Sequence, residues 1–152
     1  MDIRPTAVFG GAVHRRRLAT LLWVAWLCWA AGILWLSSLT PRELPQAAFL
    51  LSDKAEHLIA YAVGGWLAAT AIRAGRPTAT VVGWFVPAVI LVAAFGVLDE
   101  AVQTFTPGRT GGDLYDWIAD ALGALTGALI SLLMHRRALA RRTGPAAGPM
   151  TG

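Results

Sequence analysis

From Leu18 to Leu39 the chain carries no charged side chain across 22 residues. A helix rising about 1.5 Å per residue covers roughly 33 Å over such a run, enough for the hydrocarbon core of a bilayer. Lipid offers no partner for backbone polar groups, so a spanning segment must satisfy them internally, as a helix does. Further long apolar stretches follow. The expected fold is all-α: an integral membrane protein of four transmembrane helices, at about 18–39, 53–72, 78–104 and 113–134, in a compact antiparallel bundle. Composition agrees, because 56% hydrophobic and 14% charged residues leave too little polar surface to cover a soluble globule of 152 residues. One domain, 18–134, is expected between a basic tail, 1–17, and a second basic tail, 135–152, expected to be disordered.

Local signals set the boundaries. A basic start before an apolar run also describes a signal peptide. This run is longer than an ordinary signal core and lacks a clear small-x-small cleavage site, so a retained helix is expected. Trp23 and Trp26 towards one end and Trp35 towards the other suit interfacial anchors. Cys28, the single cysteine, reads as a small packing residue. Pro41 and Pro45 mark a loop before a helix starting near Asp53, and Arg73-Gly75-Arg76-Pro77 mark a turn. Pro87 is expected to bend the third helix. Pro107-Gly108 is a turn signal, fixed φ followed by permitted positive φ. Asp113 is placed to cap the fourth helix, with Asp116 in its first turn near the positive end of the dipole.

An even number of spans puts both termini on one side. That side then holds ten of the thirteen basic residues, and the other only Arg42, Lys54 and Arg109. The positive-inside rule therefore predicts both termini in the cytoplasm, in a multi-pass protein of the cytoplasmic membrane. Basic residues clustered beside apolar runs do not suit nucleic-acid binding.

Seven of the nine acidic residues lie in two stretches. One is Asp53-Lys54-x-Glu56-His57-x-x-x-Tyr61; the other runs from Asp99-Glu100 through Gln103 and Arg109 to Asp113, Asp116 and Asp120. On helices, His57 and Tyr61 share a face, Gly96, Glu100 and Gln103 form a stripe, and Asp116, Asp120, Gly123 and Gly127 form another. Each stripe carries its polar residues towards the outer side and glycine deeper. Small residues admit close helix approach, so the stripes should face the interior and gather a polar pocket at the outer face. The same small-residue faces also suit a homo-oligomer seam. His57 fits a general base, a metal ligand or a pH-sensitive partner of Glu100; the plainer account is a histidine bonded to a carboxylate at a helix end, holding two helices in register. Glu100 and Gln103 fit ligand contacts or a link between helices three and four. Arg109, flanked by glycines beside a helix start, suits phosphate or carboxylate capture, with Lys54 assisting. The plainer account is an Arg109–Asp116 or a Lys54–Glu100 pair. The ligand types of Asp99, Glu100, Asp113, Asp116, Asp120 and His57 suit a metal, but no recognised spacing such as H-E-x-x-H is present, so no metal ligands are assigned. The sequence does not identify a cofactor.

Asp53-Lys54-x-x-His57-x-x-x-Tyr61, Glu100-x-x-Gln103, Pro107-Gly108-Arg109 and Asp116-x-x-x-Asp120-x-x-Gly123-x-x-x-Gly127, in this order, resemble the VanZ-like family of small bacterial membrane proteins. The resemblance covers about residues 18–134. The family often carries asparagine where this chain has Asp120, a carboxylate that must be protonated or paired if buried. The Gly111-Gly112 loop also looks a little longer than usual. The family's namesake is associated with teicoplanin resistance, so the resemblance implies envelope modulation or glycopeptide resistance. On this reading an anionic lipid-linked envelope ligand, or the glycopeptide itself, meets Lys54, Tyr61, Gln103, Arg109, Asp116 and Asp120. The alternative is a small membrane hydrolase or transferase acting on a lipid-linked envelope substrate by general acid-base or metal-assisted chemistry, with His57 and Glu100 as acid and base.

Overall fold

A computed structural model describes residues 6–45 and 51–143. The described residues form four helices and no strand: α1 (Thr6–Ser37), α2 (Asp53–Gly75), α3 (Val81–Phe105) and α4 (Leu114–Thr143). All four are long and apolar enough to cross a membrane. Large apolar side chains such as Leu21, Leu27, Ile90 and Leu129 stand exposed around the outside, as a lipid-facing surface requires.

Helix ends depart from expectation where the sequence is basic. α1 begins at Thr6 and runs through Arg15, Arg16 and Arg17, so the expected tail is largely helical. α4 continues past Met134 to Thr143. Arginine and alanine are good helix formers, and a helix need not stop where the hydrocarbon does. Residues 1–5, the 46–50 part of the first connector and the 144–152 part of the tail expected to be disordered lie outside the described residues. α1 stops at Ser37 rather than Leu39, and α3 starts at Val81, behind a Thr80 cap that accepts from Gly83 N at 3.2 Å. Pro87 sits within α3 without interrupting it.

Consecutive helices run antiparallel, but the most intimate pair, α2 and α4, is parallel. Lys54 meets Asp116, His57 meets Asp120, Thr70 meets Ser131 and Arg73 meets His135, in step along both helices. Glycine makes this seam possible. A Cβ at Gly65 would strike the Ala124 backbone, one at Gly123 the Leu58 carbonyl, and one at Gly127 the Ala62 carbonyl. The glycine stripe therefore faces the bundle interior, as its spacing predicts.

α1 docks through aromatic rings. Trp29 lies against Gly64, where any Cβ would collide with its ring, and donates Nε1–H to the Ala60 carbonyl at 3.0 Å. Trp26, Trp29, Tyr61 and Phe95 pack with ring centroids 5.3–6.3 Å apart. Trp26 is thus a core residue, not the interfacial anchor expected of it, because α1 turns that face towards α3. Trp35 is exposed, and so is Cys28, which faces away from the packed interior instead of filling it.

Candidate functional site

The N-termini of α2 and α4 and the C-termini of α1 and α3 meet at one end of the bundle. The loop between α3 and α4 closes that end. Thr106-Pro107-Gly108-Arg109 is a tight turn, with Arg109 N–H donating to the Thr106 carbonyl at 3.1 Å and Gly108 at φ 78°. Thr106 Oγ1 donates to the Ser37 carbonyl at 2.9 Å, fastening the loop to the end of α1. Asp113 caps α4 as expected, its Oδ1 accepting from Tyr115 N at 2.7 Å. That bond, together with Lys54, holds the Asp113 carboxyl below its ordinary pKa. In the α1–α2 connector the Thr40 hydroxyl and backbone N–H both donate to Glu43, which lies below its ordinary value for that reason.

Two buried carboxylates organise the interior of this end. Asp99, on α3, accepts from Ser37 Oγ of α1, from Tyr61 Oη of α2 at 3.0 Å, and from Gln103 Nε2 at 3.5 Å. Asp120, on α4, is wholly buried and shares a 2.8 Å hydrogen bond with His57 Nδ1 of α2. His57 and Tyr61 share a face as predicted, their rings stacked at 6.3 Å. His57 is therefore the partner of Asp120 and not of Glu100. Glu100 instead receives the Asp113 backbone N–H at Oε2, 2.9 Å, and so links α3 to the start of α4. Its Oε1 and Asp120 Oδ2 are both buried without a hydrogen-bond partner among the described residues.

The two expected ion pairs are absent among the described residues. Lys54 binds Asp116 at 2.6 Å and Asp113 at 3.4 Å, not Glu100. Arg109, half-buried, donates Nη2–H to Gln103 Oε1 at 3.1 Å, and no carboxylate pairs with it among the described residues. Spacing along one helix gives a face but not the rotation of the neighbouring helix, so faces were legible and partners were not.

A cavity of about 380 Å³ opens between these groups. Ile33, Leu36, Leu44, Leu51 and Ala60 give it an apolar wall. Ser37, Asp53, Glu56, His57, Tyr61, Asp99, Gln103 and Arg109 give it a polar one. Of the site residues expected from sequence, His57, Tyr61, Gln103 and Arg109 line the cavity, while Lys54, Glu100, Asp116 and Asp120 are not among its lining residues. Asp99 was foreseen only as one of several metal-capable acids, and Ser37 was not singled out. A serine in the last turn of an apolar helix carries little signal, but Asp99 follows Gly96 by three residues and precedes Gln103 by four, which places it on the same stripe. Ligand-capable atoms of His57, Asp99 and Asp120 lie within 4.8 Å of one another, as do those of Asp53, His57 and Asp116.

The family model described as VanZ/LLP1 matches residues 14–135, most of the chain and all of the elements that build this end. No protein of curated function and no solved structure matches.

Proposed function

The chain belongs to the VanZ/LLP1 family of membrane proteins, and from that premise we propose that the cavity binds an amphiphilic envelope component with an anionic, lipid-linked head at the outer face of the cytoplasmic membrane. One observation carries this reading: a cavity with an apolar wall and a polar wall holds an arginine, Arg109, without a carboxylate partner among the described residues. An apolar wall suits a lipid chain, and a guanidinium suits a phosphate or carboxylate. The start of α2 adds favourable dipole, since Ser52 gives it no side-chain cap. The outward orientation rests on the positive-inside rule, because Arg15, Arg16, Arg17, Arg73 and Arg136 lie towards the opposite end from the cavity. Retention of such a component is the route by which a protein of this family would modulate glycopeptide action.

A second reading is a hydrolase or transferase. His57 lines the cavity and is held at Nδ1 by a buried carboxylate, the arrangement by which an orienting group presents a general base. A mass-spectrometric profile of membrane lipids and wall precursors separates the two. Cells carrying the wild type and cells carrying Arg109→Ala or His57→Ala, at matched abundance, are compared. Binding predicts an unchanged pool with one species enriched on the purified wild type. A species consumed or formed only with the wild type makes the protein an enzyme. A reporter fused after residue 142 that is active only outside the cytoplasm would reverse the orientation.

A further inference from the structure

The cavity poses a charge problem. Its wall carries the carboxyl groups of Asp53, Glu56 and Asp99 against the one guanidinium of Arg109. Behind them Asp120 is completely buried, and its Oδ2 has no hydrogen-bond partner among the described residues. An unpartnered carboxylate oxygen away from water is costly. The protein supplies Asp120 with one contact, His57 at Oδ1, and leaves the other oxygen facing α3 at Gly96, where a Cβ would lie 2.7 Å from it. Asp99 stands one helical turn further along that face of α3.

We propose that His57, Asp99 and Asp120 form a binding site for one divalent first-row transition ion of the Zn²⁺ or Mn²⁺ kind. One imidazole and two carboxylates are a donor set that such ions accept. Their ligand-capable atoms lie within 4.8 Å of one another. Bonds of about 2.1 Å in a tetrahedral site hold neighbouring ligand atoms about 3.4 Å apart, so the site closes on an ion with side-chain shifts of up to about 1 Å, the ion replacing the direct His57–Asp120 hydrogen bond. Ser37, Tyr61 and Gln103 already orient the Asp99 carboxylate, as outer hydrogen bonds do around metal ligands. The alternative trio of Asp53, His57 and Asp116 is the poorer site, because Lys54 occupies Asp116 at 2.6 Å and Asp53 is exposed. The ligands come from three different helices, which is why no local sequence spacing announces them.

The ion would also answer the charge problem. Its two charges offset those of Asp99 and Asp120, and it offers a coordination position to a phosphate oxygen. This second consequence rests on the ligand reading given above; the ion site does not.

The test uses the full chain purified in detergent and stripped of metal, titrated with Zn²⁺ alone by calorimetry. The expected result is one ion per chain, with affinity at least about tenfold weaker in His57→Ala and in Asp120→Asn. X-ray absorption at the zinc edge of the wild type needs no variant to fold, and should show one imidazole nitrogen among oxygen ligands. No stoichiometric binding, two or more imidazoles in the shell, or undiminished binding by folded variants overturns the site. Retention of phosphate-bearing lipid is then measured with Zn²⁺ and with chelator. An ion bound without retained lipid keeps the site and sinks the ligand reading; lipid retained by a chain that binds no ion does the reverse.

Discussion

Gly127→Leu is expected to abolish the folded bundle, while Gly32→Leu, on the same kind of helical backbone, leaves it intact. At Gly127 even a Cβ would overlap the Ala62 carbonyl oxygen and crowd Trp66 N, whereas at Gly32 nothing lies within 4 Å. Overpacking against a side chain costs about 1–3 kcal/mol because rotamers give way. Here the obstacle is helix backbone, which cannot rotate aside, so a loss of at least about 3 kcal/mol is expected. Separation of α2 from α4 would also part Lys54 from Asp116 and His57 from Asp120. Thermal unfolding of the detergent-purified chains reads this directly. Wild-type stability in Gly127→Leu would mean that α2 and α4 do not pack at this seam.

The second large effect belongs to Asp99→Ala. An interhelical hydrogen bond in a membrane is worth only about 0.6–1.7 kcal/mol, because unfolded helices in lipid also find partners. Asp99, however, is the shared acceptor of Ser37, Tyr61 and Gln103, which sit on α1, α2 and α3. Its removal strands three buried donors at once, and a stranded donor costs about 1–3 kcal/mol. Some will find another acceptor or a water, so the net loss expected is roughly 2–5 kcal/mol, with α1 loosened first. Asp99→Asn keeps one acceptor oxygen and should lose less. Protease accessibility of the α1–α2 connector, with the unfolding temperature, tests the order. Equal behaviour of the two variants would show that the carboxylate is not what joins these helices.

How much of this was legible in the sequence follows from the range of each signal. The apolar runs announce four helices because lipid leaves the backbone no other choice. The Pro107-Gly108 turn and the Asp113 cap are local chemistry, and both fold as read. The glycines of α4 announce close approach, though not that α2 is the helix approached. The helices outlast their apolar runs, continuing through Arg15–Arg17 and Arg136–Arg137, because charge ends an apolar pattern without ending helical propensity. The interior partners depend on the rotation and depth of one helix against another. That is why Glu100 stood among the possible partners of both Lys54 and His57, which bond instead to Asp116 and Asp120. For Asp120 the sequence left open a shifted ligand preference, protonation or pairing; the structure pairs its Oδ1 with His57.

The central claim is that the polar end of the bundle holds an anionic amphiphile through Arg109. Native mass spectrometry of the protein released from gentle detergent tests it most directly, comparing the wild type with Arg109→Ala and with Arg42→Ala, a control whose arginine is not among the cavity's lining residues. The account predicts one phosphate- or carboxylate-bearing lipid on the wild type and on Arg42→Ala, and none on Arg109→Ala. A bare wild-type chain, or the same lipid retained equally by all three, would contradict it.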